Sequence, residues 1–220
     1  MEITVLKNIF GANDEKAGEI RELLKDNGVL MINLIGSPGS GKTTLLEKLL
    51  ENSGGDYNFA IIEGDVATDR DARRLQKFGA PITLINTDGA CHLEALSIEK
   101  AIRQFNLNTL DVIFIENVGN MVCPAEFDIG EHEKIAIIST TEGDDKPGKY
   151  PLLFRESALV ILSKTDLIPY TNFNMGNFME DLRKLNGDID VIELAALEGK
   201  GISKVNSWIN IRLQSLKAQK

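Results

Sequence analysis

The sequence predicts an α/β fold in which a mostly parallel central sheet is covered by helices on both faces. Short apolar runs rich in β-branched residues recur along the chain, helical patterns separate most of them, and a glycine-rich loop follows the first run. Continuous apolar runs are typical of strands that are buried on both faces. Binding and catalysis are therefore expected in the loops at the carboxyl ends of the strands.

The predicted elements alternate along the chain. Strands are predicted at residues 29–35, 59–63, 82–86, 111–116, 135–140, 158–163 and 191–194, and helices at 13–26, 43–52, 70–78, 92–104, 174–185 and 202–216. The first helix has an acidic start and a basic end, and it precedes the core. Because the chain has no repeat, low-complexity tract or Pro/Ser-rich linker, we expect residues 1–220 to form one domain.

Composition excludes several classes of function. With 33 acidic and 24 basic residues the net charge is −9, which argues against non-specific binding to nucleic acid or anionic membranes. No apolar run approaches the roughly 18–20 residues of a membrane span, and the start lacks a signal-peptide pattern. We therefore expect a cytoplasmic protein whose cysteines, Cys91 and Cys123, are thiols or metal ligands.

Residues 36–43 read GSPGSGKT and match the phosphate-binding pattern G-x-x-x-x-G-K-[ST]. The predicted cradle comprises Gly36, Ser37, Pro38, Gly39, Ser40, Gly41, Lys42, Thr43 and Thr44. Its glycines let backbone N–H groups face a phosphate, and the following helix N-terminus favours the same anion. Lys42 is placed to reach the β- and γ-phosphates, and Thr43 to bind Mg²⁺. The pattern, between a strand and a helix, predicts a P-loop NTPase.

A carboxylate ends the fourth predicted strand at Glu116, and Asn117-Val118-Gly119 follows. This arrangement suits a Walker-B element in which Glu116 holds Mg²⁺ and the Gly119 N–H senses the γ-phosphate. Most enzymes of the class have Asp here, so the Glu is a departure. The alternative is an ordinary strand-end carboxylate that faces solvent.

Two further acids follow the second strand. Asp65 is a candidate second carboxylate for Mg²⁺, and Asp69 is a candidate for orienting the attacking water. Asp69 also suits the acidic start of the helix at 70–78, a role that Asp71 would fill equally well. Both interpretations of Asp69 stay open.

The segment Ser163-Lys164-Thr165-Asp166 follows another apolar strand and resembles the [N/T]-K-x-D guanine-recognition motif, with Ser in place of Asn. Asp166 can accept two hydrogen bonds from the guanine N1–H and N2–H₂ edge, which adenine does not offer. The Lys164 stem would lie over the base, and a backbone N–H near Ala196 would meet guanine O6. The motif favours GTP over ATP.

Cys91 and His92 are adjacent at the predicted start of a helix, and Cys123 follows Glu116 by seven residues. Thiolate and imidazole suit Zn²⁺, Cu or Ni²⁺, although three ligands leave the metal sphere incomplete. A water, another side chain or a second subunit must then contribute. The alternative is that both cysteines behave as small hydrophobic residues. His132 is expected at the surface.

The run ENVGNMVCPAEFDIGEH at 116–132 points to a family, together with GSPGSGKTTL at 36–45, CHLEAL at 91–96 and STTEGDDKPGKYP at 139–151. In these segments the chain resembles the HypB hydrogenase-maturation GTPases, which are P-loop NTPases of the SIMIBI class. The resemblance extends over essentially the whole chain. The UreG-type urease accessory GTPases share the fold but carry a Cys-Pro-His motif that this sequence lacks.

The resemblance implies slow, Mg²⁺-dependent hydrolysis of GTP, a homodimer that forms around nucleotide, and delivery of nickel to the large subunit of [NiFe] hydrogenase. It also implies a second nickel-insertion accessory protein as a partner. The family's metal ligands correspond to Cys91, His92 and Cys123, near the dimer interface, and bind Ni²⁺ or Zn²⁺. Its magnesium roles correspond to Thr43, Asp65 and Glu116. Lys149 is a candidate for contact across the dimer.

The sequence departs from the family pattern in two places. Its first residues contain no C-x-x-C-G-C motif and no histidine-rich tract, so we expect no separate N-terminal nickel site. The Ser at position 163 predicts modest affinity for the base. A P-loop kinase of a small metabolite is the alternative function, although the loop at 143–151 lacks the arginines of a kinase lid. A urease-type nickel accessory GTPase, or a purely structural Zn²⁺ site, are further alternatives.

Overall fold

A computed structural model describes residues 11–52, 57–65 and 70–219 of the chain. In these ranges the strands β1 to β7 are Leu30–Ile35, Phe59–Asp65, Ile82–Asn86, Val112–Glu116, Glu133–Ser139, Leu159–Ser163 and Asp190–Leu194. They form one sheet in the order β3-β2-β4-β1-β5-β6-β7. All neighbouring pairs are parallel. The predicted mostly parallel sheet is therefore confirmed.

The helices α1 to α9 are Gly11–Asn27, Lys42–Asn52, Arg70–Gln76, Ala95–Ile102, Cys123–Glu126, Lys146–Lys149, Pro151–Glu156, Met175–Leu185 and Ile202–Lys217. Every predicted helix is present. The prediction missed the three short helices α5, α6 and α7, because elements of four to six residues are too short to show a helical period. None of the described helices has the length and hydropathy that crossing a membrane requires.

The helices cover both faces of the sheet because side chains alternate along each strand. In β1, Leu30, Ile32 and Leu34 pack with residues of α2 and α9 in one apolar cluster. Met31, which points the other way, packs with residues of α1 and α4. The strand β1 is buried along its whole length. It is also the fourth of the seven strands in the sheet, so its carboxyl end lies at the centre of the edge where the predicted site residues follow their strands.

The prediction that His132 lies at the surface was wrong. The imidazole is partly buried, and its Nδ1 accepts a hydrogen bond of 3.0 Å from the Met31 N–H. The His132 N–H donates in turn to the Met31 carbonyl at 2.9 Å. Burial, followed by the positive charge of Arg21, lowers the pKa of His132 to about 4. The neutral ring joins the start of β5 to β1, and protonation at Nδ1 would break the bond to Met31.

This environment predicts a loss of stability in mild acid. His132 is neutral in the folded protein down to about pH 4, whereas in the unfolded chain it binds a proton near pH 6.5. The contribution of neutral His132 to stability is therefore fully present above about pH 6.5 and is lost as the pH falls towards 4. Between about pH 7 and pH 5 we expect His132 to cost roughly 2 kcal/mol in the free energy of urea-induced unfolding. The His132→Gln variant should lack that part of the pH dependence. If the free energy of unfolding fell equally steeply with pH in the wild type and in the variant, the low pKa would not belong to His132.

Candidate nucleotide and metal site

The loop between β1 and α2 has the backbone of a phosphate cradle. A Cβ on Gly36 would lie 2.3 Å from the Ile137 carbonyl oxygen, so only glycine fits where the loop passes β5. Gly41 has a φ of 103°, which side-chain-bearing residues rarely adopt. Helix α2 begins at the next residue, so its N-terminal N–H groups and the loop face the same space.

Lys42 and Thr43 are both buried, with 7% of each exposed. The Lys42 ammonium donates to the carbonyls of Gly36 at 3.0 Å and Ser37 at 3.2 Å, so its side chain lies along the inside of the loop. The Thr43 hydroxyl donates to Glu116 Oε1 at 2.7 Å. The structure thus places the P-loop hydroxyl and the strand-end carboxylate together, and Glu116 does not face solvent.

A cavity of about 520 Å³ opens beside this loop. Its wall includes the P-loop together with Glu63, Arg74, Glu116 and Lys164. The volume is in the range of small-molecule sites in proteins. The cavity can therefore hold a small molecule, and Lys42 lines it.

Sequence reasoning missed Glu63. This residue is 2% exposed, and it pairs in register with Glu116 across β2 and β4. Two buried carboxylates and the Thr43 hydroxyl form an all-oxygen donor set of the kind that Mg²⁺ prefers, so the residues present fit that ion. A charged residue inside an apolar strand was the available signal, because buried carboxylates are rare without a partner or a role.

The structure says less about the two predicted acids that follow the second strand, Asp65 and Asp69. Asp65 is the last residue of β2, which extends two residues beyond the predicted strand. Asp69 lies outside the described residues. The roles of Asp65 and Asp69 at magnesium and water stay predictions.

The loop after β4 lies directly against the P-loop. A Cβ on Gly119 would be 2.6 Å from Pro38 Cγ, so glycine allows this close packing. The next residue, Asn120, forms an isolated antiparallel bridge with Gly36. Gly119 also lines the cavity. This position agrees with a phosphate-sensing role for its N–H group, which stays a prediction.

The Ser-Lys-x-Asp segment is tied to the P-loop by two side chains. The Ser163 hydroxyl donates to the Ser40 carbonyl at 2.5 Å, and the Lys164 ammonium donates to the Gly39 carbonyl at 2.8 Å. Ser163 therefore connects the segment to the phosphate loop despite the absence of the usual Asn. Asp166 is exposed after β6, and Ala196 follows the neighbouring strand β7. The two predicted base contacts thus lie on adjacent strand ends.

Lys149 lies at the end of α6, away from the wall of this cavity. Its exposed ammonium pairs with Asp145 at 2.5 Å. The structure therefore leaves Lys149 at the surface, and contact across a dimer stays a prediction.

Cys91, His92 and Cys123 come together, with their ligand atoms all within 4.8 Å of one another. The two Sγ atoms are 3.0 Å apart, and Cys91 Sγ is 3.5 Å from His92 Nδ1. One detail of the prediction was wrong, because Cys91 and His92 lie in a loop and α4 begins only at Ala95. The loop lets both side chains turn towards the same point, which adjacent residues in a helix do less easily.

Cys123 is the first residue of α5, where Pro124 occupies the first turn. The His92 ring stacks on Phe127 at a centroid distance of 3.6 Å, which fixes the plane of the imidazole. The hydrogen bond to Cys123 raises the pKa of the Cys91 thiol. A divalent metal would displace the thiol protons. Since Cys91 is exposed, the site is open to a further ligand from outside.

Known proteins resemble this chain in sequence. The family described as "CobW/HypB/UreG, nucleotide-binding domain" matches residues 30–193. The hydrogenase/urease maturation factor HypB of Helicobacter hepaticus is 44% identical over 94% of this chain and 86% of its own length. The probable hydrogenase maturation factor HypB of Methanocaldococcus jannaschii is 38% identical over 98% of this chain and 97% of its own length.

Solved structures agree with the sequence comparisons. HypB from Helicobacter pylori, crystallised in complex with nickel, superposes with a TM-score of 0.89 at 38% identity over 93% of this chain and 96% of its own. HypB from Archaeoglobus fulgidus gives 0.87 at 32% identity, over 93% of this chain and all of its own. The receptor FtsY of Elizabethkingia anophelis, at 16% identity and a TM-score of 0.55, shares the SIMIBI-type P-loop fold alone. The chain therefore belongs to the HypB hydrogenase maturation factors of the CobW/HypB/UreG nucleotide-binding family.

Proposed function

We propose that this protein is a GTP-hydrolysing metallochaperone that inserts nickel into the large subunit of [NiFe] hydrogenase. One observation carries the proposal: a single short loop connects the nucleotide cavity to the thiol cluster. This loop begins at Glu116, which contacts Thr43, and it ends at Cys123, beside Cys91. A group that binds at one end of so short a segment can change the geometry at the other end.

In the nucleotide site, Lys42 exchanges its carbonyl partners in the loop for the β- and γ-phosphates. Thr43 and Glu116 hold Mg²⁺, with Glu63 and Asp65 as further carboxylates near it. The ion supplies positive charge that offsets the charge developing on the transferred phosphoryl group. We propose that Asp69 orients the attacking water.

At the metal site, nickel is the cargo. Cys91, His92 and Cys123 supply two thiolates and one imidazole, which suit Ni²⁺ and also Zn²⁺. The relative from Helicobacter pylori was crystallised with nickel, and this supports nickel as the ion. Because Cys91 is exposed, a second copy of the chain can complete the ligand set in a GTP-dependent homodimer, where Lys149 would contact the partner.

The proposed partners and location of the protein follow from its membership of the HypB family. Maturation of hydrogenase requires contact with the large subunit and, we propose, with a second nickel-insertion accessory protein. The net charge of −9 gives no support to a nucleic-acid or anionic-membrane partner. We place the protein in the cytoplasm, as one domain over residues 1–220.

Base preference tests the guanine assignment. In Asp166→Asn the amide oxygen can still accept from N1–H, but the new NH₂ group meets the donating N2 amino group of guanine, whereas xanthine has an accepting carbonyl at that position. We expect affinity for GTP to fall by about 30-fold or more and affinity for xanthosine triphosphate to rise. Titration with fluorescent analogues measures both. Asp188→Asn, at another exposed aspartate, should leave both affinities unchanged. Unchanged base preference in Asp166→Asn would contradict the assignment.

A phosphate-release assay with GTP labelled on its γ-phosphate tests the proposed activity. We expect Mg²⁺-dependent release of inorganic phosphate from GTP and much less from ATP. A metabolite mixture should receive no label. Transfer of the label to a metabolite would instead favour a P-loop kinase.

A further inference from the structure

Asn120 lies between the phosphate loop and both cysteines. Its backbone forms the antiparallel bridge with Gly36, and its neighbour Gly119 packs on Pro38. Because of these two contacts, a change in the shape of the P-loop would also move this part of the loop after β4.

The Asn120 side chain faces the metal site. Its Nδ2 donates to the Cys91 carbonyl at 3.1 Å, and its Oδ1 accepts from the Val122 N–H at 2.9 Å. One amide thus holds the backbone of the loop that carries Cys91 and the peptide next to Cys123. The two cysteines are 32 residues apart in sequence, and the Asn120 amide joins their loops in addition to the sulfur–sulfur contact itself.

The spacing of the sulfur atoms decides what the site can hold. Two thiolates bound to one ion at about 2.3 Å lie roughly 3.3 Å apart at a right angle and roughly 3.8 Å apart at the tetrahedral angle. The observed spacing is 3.0 Å. Metal entry thus requires the two loops to separate by less than 1 Å. A displacement of that size at Asn120 would be enough to raise or lower the affinity of the two thiolates for a metal ion.

His92 is held in a different way. Its neighbour Leu93 is 2% exposed and packs on Gly64 of β2, where a Cβ would lie 2.9 Å from the leucine side chain. The backbone next to His92 is therefore anchored to the sheet through apolar contact, and the imidazole itself stacks on Phe127.

We propose that Asn120 is the positioning residue through which nucleotide state sets the spacing of Cys91 and Cys123, and with it the nickel affinity. The inference rests on the proposed function, because it requires that the P-loop binds GTP and that the cysteines bind nickel. Entry of a γ-phosphate next to Gly119 displaces the backbone of Asn120. The amide carries that displacement to the Cys91 carbonyl and the Val122 N–H at once.

The test is nickel affinity, measured by competition with a chromophoric chelator, in the presence of a GTP analogue or of GDP. We expect the two affinities of the wild-type protein to differ by about 10-fold, a typical coupling between two sites. In Asn120→Ala the difference should fall to about 2-fold or less. Asn120→Asp keeps the acceptor for Val122 but loses the donor to Cys91, so we expect an intermediate value.

A matched control separates coupling from general loosening of the fold. Asn186 also makes two side-chain hydrogen bonds to distant backbone carbonyls, those of Phe154 and Ser157 at 3.3 Å each, but it touches neither site. Asn186→Ala should keep the full difference even if its melting temperature falls. The ratio of affinities is the deciding readout, because a merely structural role would lower both affinities together.

The possible results distinguish the role of Asn120 from the proposed function of the protein. A difference in wild type that persists in Asn120→Ala and Asn120→Asp would overturn the role of Asn120 while leaving the proposed function in place. Equal nickel affinities in both nucleotide states of the wild type would overturn the proposed coupling itself, and this inference with it. If Asn120→Ala does not fold, the comparison of Asn120→Asp with Asn186→Ala decides the question.

Discussion

Replacing Lys42 by alanine is expected to weaken nucleotide binding by at least about 100-fold, or roughly 3 kcal/mol. The ammonium is buried beside the cavity and faces the carbonyls of Gly36 and Ser37, so it is in place to bind phosphate oxygens instead. Its removal deletes a desolvated charge that the phosphates need. Isothermal titration with GTP and GDP measures the loss.

A second lysine of α2 provides the control. Lys48 pairs with Glu51 on the outer face of the helix at 2.6 Å, and it does not line the cavity. Lys48→Ala should therefore bind nucleotide as the wild type does, with a small change in stability at most. Near-normal binding by Lys42→Ala would show that the cavity beside the P-loop is not the nucleotide site.

Removal of both thiols, in a Cys91→Ala/Cys123→Ala variant, is expected to lower nickel affinity by at least about 100-fold, or roughly 3 kcal/mol. The chain has two cysteines, so the variant contains no other thiolate to replace them. Nucleotide binding should be spared, because neither sulfur lines the nucleotide cavity. Equilibrium dialysis against nickel, with GTP titration of the same samples, measures both properties.

Val122 provides the control for this pair. Its side chain is 49% exposed next to Cys123 and offers no ligand atom, so Val122→Ala should bind nickel normally. Equal nickel affinity in the wild type and in the double cysteine variant would remove the metal role from this cluster. A loss of affinity in both variants would instead indicate that the loop conformation, and not the thiolates, was measured.

The sequence predicted the sheet well for a physical reason. Strands that are buried on both faces must be apolar throughout, and such runs are easy to recognise, as β1 and β4 illustrate. The P-loop was equally clear because its glycines, lysine and threonine each have a fixed position relative to the phosphate. The ends of elements were predicted less accurately: α4 begins at Ala95, whereas the predicted helix begins at His92.

What the sequence could not show depends on contacts between distant segments. A charge inside an apolar strand marks Glu63 as unusual, but its position beside Glu116 is visible only when β2 and β4 pair. His132 was misplaced because histidine is compatible with both surface and interior, and its bond to Met31 spans 101 residues. The same holds for Ser163, whose hydrogen bond to the Ser40 carbonyl of the P-loop spans 123 residues.

If nucleotide and nickel act on one shared loop, both the mass of the protein and its bound nickel depend on the nucleotide. Sedimentation velocity reads the sedimenting mass and the bound nickel in the same run. With a GTP analogue, Mg²⁺ and Ni²⁺ we expect a dimer that carries nickel, and with GDP a shift towards monomer and a loss of bound nickel. Equal mass and equal bound nickel in the two nucleotide states would show that the loop does not couple the two sites.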